Sequence, residues 1–273
     1  MLGRLKRLLR AGRATRLELR HDWRTVRSGP LQGLSFYLPS GEEAPWADRF
    51  LTGKYEPEML AALQSLARKG GTLYDIGAHI GFYTCAWLKL GGQSVEAFEP
   101  APYNREILEA TLERNNLARN VRVHSVALGS RDGEATLLAS RKDVGASSAA
   151  YLRQTGGVGL MPEAESGSVP GVESINVPLR KLDTVCAELE LPAPSVIKLD
   201  IEGAEAAALA GGQSLLTRCR PAILCEVHTV SAALSIAARL AQQDYRLVEL
   251  GNNTPHPACL WLPPGLQVAL DGE

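Results

Sequence analysis

The sequence predicts an α/β protein in which helices cover both faces of a doubly wound, mostly parallel sheet of seven strands. Short apolar segments alternate with helical segments from residue 72 onward, as they do where crossover helices join parallel strands. Glycines follow several of the helical segments, and acidic residues end several of the strands. The chain has 273 residues, 45% of them hydrophobic, which is enough to bury a large core.

Apolar periodicity and turn residues define the individual elements. Helices are predicted at 56–69, 81–90, 102–116, 181–190, 204–212 and 231–243, and a short separate strand at 32–38. The strands of the sheet are predicted at 73–77, 94–100, 120–128, 195–200, 221–228, 245–250 and 258–262, with the last two antiparallel. Residues 133–140 and 173–179 break this alternation and predict a β-hairpin insertion. Between them, residues 141–171 predict a mobile loop that orders over a substrate.

The first part of the chain differs in charge from the rest. Residues 1–27 carry nine Lys or Arg against two acids, and leucines recur at helical spacing within 1–16. This pattern predicts a short basic amphipathic helix, either solvated or in weak contact with a membrane surface or an acidic partner. We expect residues 1–70 to form a basic N-terminal extension and helical cap, and residues 71–273 to form the ligand-binding domain.

Composition argues against several classes of protein. The formal net charge is −1, so no overall positive charge indicates a nucleic-acid partner. There are five cysteines and no CxxC pair, which argues against a disulfide framework or a zinc ribbon. No apolar stretch reaches the roughly 18 residues that a membrane span requires, and the N-terminus has no uninterrupted apolar segment typical of a secretory signal. We therefore expect a cytoplasmic protein.

A turn with two glycines follows the first predicted strand of the sheet, in the segment DIGAHIG at 75–81. Gly77 and Gly81 allow the backbone to turn sharply and approach a ligand closely, and the following helix directs free amides into the same crevice. Ligands of open α/β sheets bind in this crevice, beyond the carboxyl ends of the strands. Glu99, at the end of the next strand, is suited to accept hydrogen bonds from both hydroxyls of a ribose.

This turn fits a cofactor without phosphate better than a nicotinamide dinucleotide. The dinucleotide fingerprint GxGxxG is broken, because His79 and Phe82 occupy its second and third glycine positions. Asp75 would repel a pyrophosphate but suits an ammonium group. S-adenosylmethionine has an ammonium, a carboxylate and a ribose, and it has no phosphate. We predict that it contacts eight residues: Asp75, Gly77, Ala78, His79, Gly81, Glu99, Pro100 and Ser125.

The sequence resembles the FkbM family of methyltransferases in several motifs between residues 50 and 250. These are GKYEPEML (53–60), LYDIGAHIGFYT (73–84), FEPAPYN (98–104), KLDTV (181–185), IKLDIEGAEAAALAGG (197–212) and PAILCEVH (221–228). The resemblance implies a class I methyltransferase fold, which is Rossmann-like, over the domain at 71–273. It also implies S-adenosylmethionine as cofactor and, in most members, O-methylation of sugars, polyketides and related natural products.

Polar residues at two later strand ends are the candidates for catalysis, namely Lys198, Asp200, Glu202, Glu226 and His228. An alcohol is a weak nucleophile, so its methylation needs a general base or a metal that acidifies it. His228 or Asp200 is a candidate base; alternatively, Asp200, Glu226 and His228 ligate Mg²⁺ or Mn²⁺. Because strand ends rather than a compact motif set their spacing, the sequence favours the version without metal. A structural ion pair of Lys198 with Glu202 or Glu226 is the alternative without a catalytic role.

Two other functions stay open at this point. The acceptor atom could be nitrogen or carbon, although the Asn/Asp-Pro-Pro-Tyr segment of many N-methylating enzymes is replaced here by Asp-Ile-Glu-Gly at 200–203. The protein could also bind S-adenosylmethionine without catalysis. The polar, carboxylate-rich strand ends favour a small hydroxylated substrate, and hence an O-methyltransferase.

Overall fold

The structure is a computed structural model that describes residues 20–40, 45–140, 150–153, 172–251 and 256–269. The predicted basic helix at 1–16 lies outside these residues. The strands are β1 (Arg20–Thr25), β2 (Ser35–Ser40), β3 (Thr72–Ile76), β4 (Ser94–Phe98), β5 (Val121–His124), β6 (Ala127–Leu128), β7 (Gly133–Ser140), β8 (Ala150–Arg153), β9 (Val172–Arg180), β10 (Pro194–Leu199), β11 (Ala222–Glu226), β12 (Arg246–Leu250) and β13 (Ala258–Leu262). The α-helices are α1 (Pro45–Leu51), α2 (Pro57–Ala67), α3 (Phe82–Lys89), α4 (Pro102–Arg114), α5 (Leu182–Glu188), α6 (Glu205–Gly211), α7 (Gln213–Cys219) and α8 (Val230–Ala241).

The central sheet confirms the predicted doubly wound fold. Its seven strands lie in the order β12-β13-β11-β10-β3-β4-β5. The neighbours from β11 to β5 are parallel, and β13 is antiparallel to both β11 and β12. The chain therefore runs outward from β3 to β5 and returns on the other side of β3 with β10. This reversal of strand order next to β3 creates the crevice in which such sheets bind ligands.

Apolar layers cover both faces of the sheet, as the alternation of side chains along a strand requires. Leu73 of β3 packs in a layer with α2 and α3, whereas Tyr74 and Ile76 of the same strand pack in the layer formed by α5 to α8. Both layers consist of buried aliphatic and aromatic side chains. No helix within the described parts of the chain is long and apolar enough to cross a membrane.

The segment before β3 packs onto the first of these layers. The strand predicted at 32–38 is present as β2, but β1, with which it forms a hairpin, and the short helix α1 were not predicted. The rings of Phe36, Phe50 and Phe82 pack against one another in edge-on and tilted arrangements, with centroids 4.4 to 6.1 Å apart. Asn115 at the end of α4 donates to and accepts from the backbone of Ser35, with both distances 2.8 Å. The boundary at residue 70 stays a prediction, since side chains on both sides of it share one core.

The predicted insertion is confirmed as the antiparallel pair β7 and β9, but two expectations nearby were wrong. The strand predicted at 120–128 divides at Ser125: β5 belongs to the main sheet, and β6 pairs in parallel with β9 in a second sheet of order β6-β9-β7-β8. Residues 150–153 of the expected loop form β8, which pairs with β7. The remainder of 141–171 lies outside the described residues, so its ordering over a substrate stays a prediction.

The glycine pair at 211–212 ends the helix predicted at 204–212, and a further helix that the sequence did not predict follows it. The helix α6 ends at Gly211, but α7 begins at once with Gln213. Gly211 also has a packing role, because a Cβ atom there would lie 2.0 Å from the carbonyl oxygen of Gly129. The glycine thus allows two backbone segments to approach closely.

Candidate active site

The predicted site residues follow the carboxyl ends of five parallel strands at one edge of the sheet. Gly77 follows β3, Glu99 follows β4 and Ser125 follows β5, whereas Asp200 follows β10 and Glu226 ends β11. Adjacent parallel strands bring these positions together although they are up to about 150 residues apart in sequence. Ser125 is exposed at this edge, and Glu99 is buried.

The glycine turn after β3 is held tightly against its two neighbouring strands. The backbone amides of Gly77 and Ala78 both donate to the carbonyl of Phe98, at 3.0 and 3.1 Å. Gly77 has φ 83°, and a Cβ atom on it would lie 2.0 Å from the carbonyl oxygen of Asp200. The turn therefore needs glycine both for its backbone angle and for its contact with Asp200, one of the predicted catalytic residues. Gly81 likewise has a positive φ, 92°, at the start of α3.

His79 lies in this turn and is neutral at physiological pH. Its φ of 50° places it in the left-handed region, which is uncommon for a residue with a side chain. Burial lowers its pKa to about 4, and its buried Nε2 atom makes no hydrogen bond within the described structure. An uncharged imidazole with a free ring nitrogen fits a residue that lines a binding site better than one that carries a catalytic charge.

The Glu99 carboxylate is buried and accepts three hydrogen bonds from the protein. Oε2 accepts from the backbone amide of His79 at 2.8 Å, and Oε1 accepts from the amide of Ala101 at 2.9 Å and from the side chain of Asn104 at 3.2 Å. Burial raises the pKa of Glu99, and these donors oppose the shift. A carboxylate has about four acceptor positions, so Oε2 keeps capacity for a ligand hydroxyl. Pro100 follows directly and accepts from Arg105 at 2.7 Å.

Asp75 lies within the sheet rather than at its edge. Its side chain is fully buried, and Oδ2 accepts from the Thr84 hydroxyl at 2.6 Å. The other oxygen makes no hydrogen bond and lies 3.8 Å from the Lys198 ammonium. Burial raises the pKa of Asp75, while Lys198 opposes that shift. Its contact with a cofactor ammonium stays a prediction, and its contacts in the protein are with Lys198 and Thr84.

Lys198 lies between the predicted cofactor residues after β3 and the predicted catalytic residues after β10. Its ammonium donates to the carbonyl of Gly77 at 3.2 Å, lies 3.5 Å from Asp200 Oδ2, and stands 4.9 Å above the ring of Tyr83. Burial disfavours its charge, but the carboxylates of Asp200 and Asp75 outweigh burial and raise the pKa. The ion pairs of this lysine are therefore with Asp75 and Asp200, and the sequence-based alternative of a pair with Glu202 or Glu226 was wrong in its partners.

His228 is fixed in orientation by a buried carboxylate. Its Nδ1 atom lies 2.8 Å from Glu205 Oε1, and Glu205 also accepts from the backbone amide of Gly203 at 2.9 Å. The Nε2 atom of His228 faces Asp200 Oδ1 at 3.6 Å and Glu202 Oε2 at 3.5 Å. Burial lowers the pKa of His228, but Glu205 and the other carboxylates outweigh it and raise the pKa to about 9. The sequence analysis did not assign Glu205 to the site, although its place in the first turn after β10 was a usable signal.

Glu226 completes a group of three side chains that faces the crevice. One carboxylate oxygen of Asp200, one of Glu226 and one ring nitrogen of His228 all lie within 4.8 Å of one another. Burial, followed by the charges of Asp200 and Glu56, raises the pKa of Glu226 to about 8. Two carboxylates and an imidazole in this arrangement are suited either to hold a proton taken from a substrate or to bind a divalent metal.

The segment before α2 also reaches this site, which the sequence analysis did not foresee. Glu56 has φ 41° and accepts a hydrogen bond from the Tyr83 hydroxyl. Burial raises the pKa of Glu56, and its bonds with Tyr83 and Tyr55 oppose the shift. Because the Lys198 ammonium lies over the ring of Tyr83, these contacts link the N-terminal segment to the predicted catalytic residues.

His124 contributes to the sheet rather than to the catalytic group. Its Nε2 atom lies 2.7 Å from Glu96 on β4, and its ring stacks on Phe98 with centroids 4.7 Å apart. Arg122 pairs with the same Glu96 carboxylate. These side-chain contacts stabilise the pairing of β5 with β4, close to the predicted cofactor residues Glu99 and Ser125.

Comparison with known proteins identifies the family. Residues 75–247 match the methyltransferase FkbM domain. The chain is 30% identical over 196 residues to the 31-O-demethyl-FK506 methyltransferase FkbM of Streptomyces tacrolimicus, a match that covers 66% of this chain and 75% of that protein. The family match at 75–247 includes the glycine turn and the group formed by Asp200, Glu226 and His228.

Two solved structures of methyltransferases are also similar. A methyltransferase FkbM from Methylobacillus flagellatus KT has a TM-score of 0.50 and 21% identity, and the match covers 70% of this chain and 43% of that one. The chain thus spans less than half the length of that relative. The C-terminal domain of precorrin-6Y C5,15-methyltransferase from Rhodobacter capsulatus has a TM-score of 0.44 and 16% identity, with coverage of 76% and 88%. The family match over more than half of the sequence, together with the class I methyltransferase fold, shows that this chain belongs to the FkbM methyltransferase family.

Proposed function

We propose that the protein is an S-adenosylmethionine-dependent O-methyltransferase that acts on a hydroxyl of a small molecule. The observation that carries this proposal is the direct contact between the two halves of the site. The glycine turn that follows β3 lies against the backbone of Asp200, so that the predicted cofactor residues and the acidic catalytic group share one crevice. Close apposition of this kind is what transfer between two bound molecules requires.

The residues on the β3 and β4 side of the crevice fit the cofactor. Glu99 is held by three donors and keeps acceptor capacity for a ribose hydroxyl. Asp75 and Asp200 share the single ammonium of Lys198, so net negative charge remains near the turn, which is unfavourable for a pyrophosphate. When bound, S-adenosylmethionine supplies an electrophilic methyl group.

The residues on the β10 and β11 side suit an oxygen acceptor. A hydroxyl has a high pKa, so it needs a group that takes up or displaces its proton before it attacks. Asp200 is more accessible than His228, with its side chain 31% exposed against 6%. Lys198 and His228 stand on either side of it and hold its carboxylate in place. The curated relative, whose name places its methylation at an oxygen, supports the same acceptor atom.

The proposal is tested by calorimetry and by product analysis. Titration with S-adenosylhomocysteine should show binding to one site, whereas NAD should show none, because the turn lacks a place for a pyrophosphate. Incubation with methyl-labelled S-adenosylmethionine and a fraction of small hydroxylated molecules should release S-adenosylhomocysteine. Binding of NAD without binding of S-adenosylhomocysteine would overturn the cofactor assignment. Binding of S-adenosylhomocysteine without turnover on any hydroxylated fraction would indicate a protein that binds the cofactor without catalysing methyl transfer.

A further inference from the structure

We propose that Asp200, Glu226 and His228 bind one divalent cation, of the size and hardness of Mn²⁺ or Mg²⁺, at the mouth of the crevice. The role of this cation in acidifying the acceptor hydroxyl rests on the proposed function, but its binding does not. The sequence alone favoured a site without metal, because no compact ligand motif is present. The fold brings the three ligand residues together without such a motif, because the adjacent parallel strands β10 and β11 end side by side.

The geometry of the group matches a single coordination sphere. One ligand-type atom from each of the three residues lies within 4.8 Å of the others. Ligand atoms on opposite sides of a divalent ion are about 4.2 to 5 Å apart, so the three side chains can share an ion with little movement. Two carboxylates and one imidazole suit Mn²⁺ in particular, since it accepts both oxygen and nitrogen ligands.

The hydrogen bonds of His228 point to a ligand independently of this spacing. Its Nδ1 atom is bound to Glu205 at 2.8 Å, and Glu205 is itself fully buried. Metal-binding histidines commonly make this type of bond through the nitrogen that is not bound to the metal, because it fixes the ring and the tautomer. The other nitrogen, Nε2, is directed at the mouth, and its nearest carboxylate oxygens are 3.5 and 3.6 Å away, beyond ordinary hydrogen-bond length. The His228 side chain is only 6% exposed, so Nε2 is a buried nitrogen that points toward the carboxylates of this group.

The negative charges around the mouth of the crevice also favour a bound cation. Three carboxylates surround the His228 ring, those of Asp200, Glu202 and Glu205, and Glu226 lies in the same group. Lys198 pairs with only one of these carboxylates, that of Asp200, and its ammonium is shared with Asp75. Carboxylates collected at partly buried positions repel one another unless positive charge is added.

Lys198 does not block the proposed ion. Its ammonium approaches Asp200 on Oδ2, at 3.5 Å, whereas the imidazole of His228 faces Oδ1. The two oxygens of Asp200 thus point to different partners, and Oδ1 is the one directed at His228. A cation at that position would lower the pKa of a hydroxyl placed beside it, as bound metals do for water.

Cation binding is measured on the full chain without any methyl acceptor. Electron paramagnetic resonance of free Mn²⁺ should show one ion taken up per chain. The ligand variants Asp200→Asn and Glu226→Gln should each weaken that binding at least about 10-fold, and Glu205→Gln should weaken it roughly 10- to 100-fold by releasing the His228 ring. Asp48→Asn, at an exposed carboxylate outside the site, is the matched control and should bind Mn²⁺ like the wild type. Circular dichroism of each variant verifies that it is folded.

The outcomes separate this inference from the proposed function. No uptake of Mn²⁺ at millimolar concentration, or equal uptake by wild type, Asp200→Asn and Glu226→Gln, would overturn the cation site. Calorimetry with S-adenosylhomocysteine on the same samples tests the cofactor site separately. Full methyl transfer in the presence of a strong chelator would likewise overturn the catalytic role of the cation while leaving the proposed function intact. Loss of transfer with chelator and its recovery with added Mn²⁺ would support both.

Discussion

Replacing Gly77 by alanine tests whether the glycine turn and the catalytic group are in direct contact. The new Cβ atom would lie 2.0 Å from the carbonyl oxygen of Asp200 and 2.9 Å from Ile201 Cγ2. Real Cβ atoms stay at least 3.0 Å from such neighbours, so the turn and Asp200 must separate by about 1 Å. Gly33 is a matched control, because it has a similar φ, 93°, with no atom within 4 Å of the corresponding Cβ position.

Both substitutions carry the cost of a side chain at positive φ, roughly 1 to 2 kcal/mol, and only Gly77→Ala adds overpacking, typically about 1 to 3 kcal/mol. In urea unfolding, Gly77→Ala should therefore lose about 1 to 3 kcal/mol more stability than Gly33→Ala. A displacement of about 1 Å at Asp200 should also reduce turnover about 100-fold, while Gly33→Ala keeps its turnover. Equal stability and equal turnover of the two variants would refute the contact.

Three further substitutions test the individual roles. Glu99→Gln should weaken S-adenosylhomocysteine binding by about 1 to 3 kcal/mol in calorimetry, because a buried charged acceptor is lost; unchanged affinity would remove Glu99 from the ribose role. Asp200→Asn should leave that affinity nearly intact and lower turnover roughly 10²- to 10⁴-fold, and a variant with full turnover would make Asp200 structural. Lys198→Met should cost about 3 to 5 kcal/mol in unfolding free energy, because Asp75 keeps a buried charge without a partner. Since burial already raises the pKa of Asp75 and the variant removes the opposing charge, this loss should be smaller at pH 5 than at pH 8, and a loss independent of pH would contradict the pairing.

The main sheet could be predicted from sequence because its signal is local. Each buried strand is a short apolar run, and each crossover helix has its own periodicity. The errors occurred where pairing partners lie far apart in sequence. The strand at 120–128 divides because β6 pairs with β9, more than 40 residues away, and nothing within the strand itself records that partner. Similarly, Gly211 was correctly interpreted as a helix stop, but its close packing against Gly129, which is far away in sequence, was not predicted.

The candidate site was predictable to the level of strand ends, and not beyond it. Residues that directly follow parallel strands must meet at one edge, so Glu99, Asp200 and Glu226 could be placed together. Which side chains pair with one another depends on side-chain directions that the sequence does not specify. The anchoring of His228 by Glu205, and the contact of Glu56 with Tyr83, emerge only from the assembled fold.

The most direct test of the proposed function is to identify the atom that receives the methyl group. The protein is incubated with S-adenosylmethionine carrying a ¹³C methyl group and with a small-molecule extract, and the labelled product is examined by NMR and mass spectrometry. The proposal predicts a single new methyl ether, formed by the wild type and strongly reduced with Asp200→Asn, while both proteins bind S-adenosylhomocysteine equally. A label on nitrogen or carbon, or a methyl ether formed equally by Asp200→Asn, would contradict it.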